Sequence, residues 1–128
     1  MKLRVEFNTQ TPDEGGNVFS EQVIDEIAAS AKDTPVFLEY ESSPLGFVTG
    51  AQKYGSEIEL DVKLDETREE TPFFERGFIV YTVSCSYRNM SFEQTGNTRK
   101  INSARLGSVI IEPGRKEQPR GCTIFVIE

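Results

Sequence analysis

The sequence predicts an α+β fold: a mostly antiparallel β-sheet or small β-barrel, with one main helix at about 20–32 and a short second helix at about 72–77. Three observations carry this. Residues 78–88, from Phe78 to Arg88, are dense in β-branched and aromatic side chains and follow Gly77, and their continuous apolarity predicts a central strand buried on both faces. Residues 57–64 alternate, with Ile58, Leu60, Val62 and Leu64 against Glu57, Glu59, Asp61 and Lys63, the pattern of a strand with one dry and one wet face. Between them and the N-terminus, Val23, Ile24, Ile27, Ala28 and Ala31 recur at helical spacing as a single apolar stripe.

In chain order, residues 2–7 alternate as a first strand with Leu3, Val5 and Phe7 on one face. Residues 8–18 are a loop, since Pro12, Gly15, Gly16 and Asn17 are turn formers. Ser20 is an N-cap, and Glu21 in the first turn suits the positive end of the helix dipole. Asp33-Thr34-Pro35 stops the helix, because the residue before a proline is pushed out of helical geometry. Residues 36–40 form a strand, 41–44 a short turn, and 46–53 a strand weakened by its glycines. Gly55-Ser56 centres a hairpin turn into the alternating strand. Residues 65–71 are charged and exposed, and Thr71-Pro72 opens the short second helix, which Gly77 closes. Residues 89–100 are polar, contain Gly96-Asn97 and read as a mobile loop or else an ordered arm. The segment from Ile101 to Ile111 ends in the apolar run Val109-Ile110-Ile111, which Glu112-Pro113-Gly114 breaks. Residues 115–120 are a polar link, and 123–127 are a final strand that closes the domain's own sheet, the alternative being pairing with another subunit's edge.

With 128 residues and 37% hydrophobic content, the chain is expected to fold as a single domain, 1–128, with a real core. Its net charge of −7 argues against nucleic acid or an anionic membrane as partner, since both need a basic footprint. No apolar run reaches the ~20 residues of a membrane span. The alternating start lacks the apolar centre of a signal peptide, which predicts synthesis in a cytoplasm. Cys85 and Cys122 sit in separate strand-like segments and read as two buried free thiols.

The chain has no histidine. That removes the commonest general base, the usual partner of a serine or cysteine nucleophile, and the commonest zinc ligand. Ser84, Cys85 and Ser86 lie at the end of the 78–88 strand, where a nucleophile is often presented, yet no Ser-x-x-Lys motif supplies another base. The three read as small residues filling a crowded strand end. Glu39 and Glu41 share a strand face around Tyr40, and Glu57, Glu59 and Asp61 share another. Such sets suit calcium or acid–base work, but no calcium-loop spacing is present, and alternation with apolar residues makes them solvated faces. No cofactor and no metal is expected.

The order of short motifs resembles one family. Gly16-Asn17-Val18-Phe19-Ser20 leads into a helix, followed by Pro35-Val36-Phe37-Leu38-Glu39-Tyr40 and Pro44-Leu45-Gly46-Phe47-Val48. After these come Leu64-Asp65-Glu66-Thr67, Val83-Ser84-Cys85-Ser86-Tyr87-Arg88 and Leu106-Gly107-Ser108-Val109-Ile110-Ile111-Glu112-Pro113-Gly114. Over about residues 8–114 this is similar to the prohead (capsid maturation) proteases of tailed phages, which share the herpesvirus assemblin fold. In that family a histidine follows the strand after the first helix, where this chain reads Glu39-Tyr40-Glu41, and the serine lies at the position of Ser84 or Ser86. The resemblance therefore implies a pseudoprotease with degenerate positions Tyr40, Ser84 and Ser86 and no catalytic activity. It implies a virion protein of a tailed phage, most simply a capsid decoration or cement protein, with the major capsid protein and copies of itself as partners. The alternatives are a prohead-type serine protease with an atypical base and a transient scaffold or assembly factor.

Overall fold

The computed structural model describes residues 1–13, 15–72, 81–113, 123–124 and 126–127. The fold is α+β, mostly strand, with one main helix. The strands are β1 (Lys2–Glu6), β2 (Asn17–Phe19), β3 (Pro35–Leu38), β4 (Gly46–Tyr54), β5 (Glu57–Leu64), β6 (Tyr81–Thr95), β7 (Thr98–Pro113), β8 (Thr123–Ile124) and β9 (Val126–Ile127), and the helix is α1 (Glu21–Ala29). They form one curled sheet in the order β8-β6-β7-β3-β4-β5-β1-β9, with β2 added to β7. The two ends of this order both come from the C-terminal region: β8 pairs antiparallel with β6, and β9 pairs antiparallel with β1.

Alternation decides which side of the sheet is dry. Leu3 and Val5 of β1, Ile58, Leu60, Val62 and Leu64 of β5, and Val109 and Ile111 of β7 all point into one continuous core. Helix α1 lies against that core through Val23, Ile24 and Ile27. Each such side chain contributes about 1.5–3 kcal/mol when fully buried. The Ser20 hydroxyl caps the helix by accepting from the Val23 amide at 3.2 Å, an interaction of about 1 kcal/mol. The helix stops at Ala29, three residues short of the expected end. Ser30 explains the difference. Its hydroxyl donates back to the Ile27 carbonyl at 2.9 Å and accepts from the Leu106 amide at 2.9 Å, so its side chain joins the last turn to β7.

Three expectations need correction. The polar stretch 89–100 is not a loop but the outer half of a long hairpin, in which β6 and β7 pair from Tyr81↔Pro113 out to Thr95↔Thr98. Residues 91–97 are exposed on an arm held by the ladder with β7, while Met90 at its base packs against the core. Likewise, the strand running through Ser84 is not buried on both faces: Val83 is buried, Ser84 and Cys85 are half-buried, and Ser86 and Arg88 are exposed. The strand at the centre of the pairing is β7, which has β6 on one edge and β2 and β3 on the other. Finally, β3 ends at Leu38, so Glu39 and Glu41 do not share a strand face. The second helix expected at about 72–77 is not shown, since residues 73–80 lie outside the described residues, as does Cys122. Cys85 packs half-buried against the core.

The arm is braced from the side. Asp13 closes the 8–18 segment on itself, its carboxylate accepting from the amides of Gly15 and Asn17 at 2.9 Å each. Within this segment β2 pairs parallel with Arg99–Ile101, the Arg99 amide donates to the Gly16 carbonyl at 2.7 Å, and the Arg99 guanidinium donates to the Gly15 carbonyl at 2.9 Å. Gly16 has φ +79°, and a Cβ there would lie 2.4 Å from the Asn97 carbonyl oxygen. Only glycine fits both conditions.

Candidate functional site

Paired residues on neighbouring strands share a face. Val83 pairs with Ile111, which pairs with Leu38, and all three are buried. One residue along, Ser84 pairs with Ile110, which pairs with Phe37, and this row is half-exposed on the opposite face. Ser86 pairs with Ser108 on that same outer face, and their hydroxyls are hydrogen-bonded to one another. The structure thus brings Ser84 and Ser86 together on the outside of the sheet.

Tyr40 is placed elsewhere. It follows β3 on a turn, with φ 65° and 98% exposure. It lies three residues beyond Phe37, about 10 Å along the strand from the Ser84 row, and two strands from β6, about another 10 Å. The carboxylate beside it, Glu41, is drawn to Arg68, which also binds Glu70 at 3.2 Å and donates to the Ser43 and Pro44 carbonyls at 3.1 and 3.4 Å. The region that would carry the family's base is therefore occupied by a salt-bridged turn. Arg68 escaped the sequence reading, although it is the one cation inside the run Asp65–Glu70.

Among the described residues the lysines are distributed away from the serine row, with one exception. Lys53 is ion-paired to Asp25 at 3.2 Å, Lys63 lies on β5 opposite Phe47, and Lys100 lies on the arm opposite Glu93. Lys32, which the sequence did not single out, lines a cleft of about 250 Å3 with Arg88, Leu106 and Gly107, next to the strand segment of Ser86. The carboxylates of β5 face cations of β1: Lys2 reaches Glu59 at 3.2 Å and Asp61 at 3.8 Å, and Arg4 reaches Glu57 at 3.4 Å. At the end of β1, Glu6 pairs with Glu57, and the hydrogen bond from Glu57, with burial and like charge, raises the Glu6 pKa.

A larger cleft, of about 570 Å3, opens between the β3–β4 turn and the end of β5. Pro44, Phe47, Val48 and Leu64 supply its apolar lining, and Asp65 and Arg68 its polar rim. Phe47 is 50% exposed there. No family model, no curated protein and no solved structure matches the chain.

Proposed function

We propose that the chain is a non-catalytic structural protein of a tailed-phage virion, a capsid decoration or cement protein of prohead-protease type that bridges capsid subunits. One observation carries the reading: the Ser86 hydroxyl has the Ser108 hydroxyl as its partner, in a chain without a single histidine. A neutral hydroxyl does not remove a proton from serine near pH 7, so this pair stiffens a sheet rather than preparing a nucleophile. The outer face then serves adhesion, with Phe37 and Ile110 beside the serines as mixed apolar and polar contact area. Quantitative mass spectrometry of purified mature particles tests this. A copy number near that of the major capsid protein, or a simple fraction of it, is expected, together with loss of heat and low-salt resistance in particles lacking the chain. Absence from mature particles overturns it in favour of a transient assembly factor.

A second reading, a serine protease with an atypical base, draws on Lys32 beside the Ser86 strand segment. Undiminished cleavage of capsid precursor by both Ser84→Ala and Ser86→Ala variants removes it.

A further inference from the structure

The arm formed by the outer halves of β6 and β7 is a cationic element on an acidic molecule. It carries Arg88, Arg99, Lys100 and Arg105 against Glu93 alone, in a chain of net charge −7. Among the described residues none of these four cations is ion-paired, whereas in the body Lys2, Arg4, Lys53 and Arg68 are, and Lys32 and Lys63 are not. Arg88 and Arg105 are direct cross-strand partners and both are exposed. Like charges so placed repel, and an approaching anionic surface relieves that repulsion. Nearer the tip, Phe92 is 44% exposed, and the Arg99 guanidinium lies 5.5 Å from its ring centroid. An exposed aromatic under an arginine is a frequent composition at the centre of protein interfaces.

The complement is on the same molecule, at its other end. Phe47 opens the cleft of about 570 Å3, Asp65 and Lys63 both line it, and outside the lining the exposed carboxylates Glu66 and Glu69 follow in sequence. None of these three carboxylates is ion-paired among the described residues. The arm cannot reach this cleft in its own chain. The Phe47 cleft flanks the row where Pro35 pairs with Phe47 and Val36 with Val109, while the arm turns between Thr95 and Thr98. That is eleven residues of β7, on the order of 35 Å of strand, and the β2 brace keeps the arm from folding back.

We propose that the arm of one copy docks in the Phe47 cleft of a second copy, with Phe92 in the apolar cleft and Arg99, which shares its face of the arm, against Asp65, Glu66 and Glu69. Because donor and acceptor surfaces differ, the contact is heterologous, and each docked pair retains one free arm and one free cleft. The chain therefore assembles into rings or filaments rather than stopping at a two-fold dimer. This goes beyond the capsid reading and stands without it, since it concerns the purified chain alone.

Sedimentation of the full chain from micromolar to near-millimolar concentration, at low and high salt, tests the proposal. At low salt the weight-average mass should rise to at least twice the 14.4 kDa of the monomer and fall back in high salt. Phe92→Asp disables the arm and Phe47→Lys disables the cleft, each at a half-exposed site, and unchanged circular dichroism spectra and melting establish that both variants fold. Each alone should remain monomeric. Mixed, they should form a dimer that grows no further, because the intact cleft of one accepts the intact arm of the other. A wild-type chain that stays monomeric overturns the proposal, as do variants that assemble like wild type and a mixture that fails to associate.

Discussion

Two loops in this protein are each held by an arginine that donates to backbone carbonyls, and they are held by different physics. At the arm, Arg99 binds the Gly15 carbonyl, but the segment around it is also fixed by backbone pairing with β2 and by the closed space around Gly16. At the β3–β4 turn, Arg68 binds the Ser43 and Pro44 carbonyls and is itself oriented by Glu41 and Glu70. The first brace is mainly steric and peptide-based, although the Asp13 carboxylate and the Arg99 guanidinium take part in it. The second is largely electrostatic and lies near the surface, where salt and acid weaken it. A geometric fixture and a charge fixture thus secure opposite ends of the same sheet.

The most severe way to break the comparison is Gly16→Ala. A Cβ at φ +79° and 2.4 Å from the Asn97 carbonyl oxygen must displace the arm or the loop. A loss of about 2–3 kcal/mol is expected in urea unfolding, with faster amide exchange concentrated in residues 91–101. Arg68→Gln should do less. It should loosen residues 41–45 in amide exchange at low salt, and the difference from the unsubstituted chain should vanish at high salt.

Acid should act on the Arg68 end in the same direction. The hydrogen bond from Arg68 lowers the pKa of Glu70, and the Thr67 hydroxyl, with the Thr67 amide, lowers that of Asp65. Groups depressed in the folded state contribute stability above the ordinary carboxylate range, around pH 4, and lose it as the pH falls through their lowered values. The smallest effect is expected at Glu6, whose pKa is raised by Glu57 and which therefore costs stability at neutral pH. Glu6→Gln should stabilise the chain by roughly 0.2–1 kcal/mol at pH 7 and low salt, and the gain should disappear in acid.

Much of the fold was legible because it advertises itself by periodicity. The dry face of β5, the apolar stripe of α1 and the Ser20 cap are all direct readings of side-chain spacing. The arm was not legible, although it carries the same turn chemistry as a hairpin that was. Gly55 at φ 62° joins Tyr54↔Glu57, and Gly96 at φ 61° joins Thr95↔Thr98. The first was recognised because β5 alternates beside it. The second was not, since a ladder exposed on both faces leaves no apolar pattern to read. The serines of β6 were correctly placed on a strand, but their facing Ser108 depends on register with a segment twenty-two residues later, which local pattern does not encode. Arg68 and Glu41 are brought together in the same way, across turns from distant strands.

The pairing of β9 with β1 sets Lys2 against Ile127 and Leu3 against Val126. On the ribosome the first strand is made long before its partner exists, and residues 123–127 leave the exit tunnel after every other strand. The edges of β6 and β1 that β8 and β9 cover must therefore stay open until synthesis passes those residues. During that interval both edges are available to neighbouring nascent chains, so the interval before they are covered is when this protein is most exposed to mispairing.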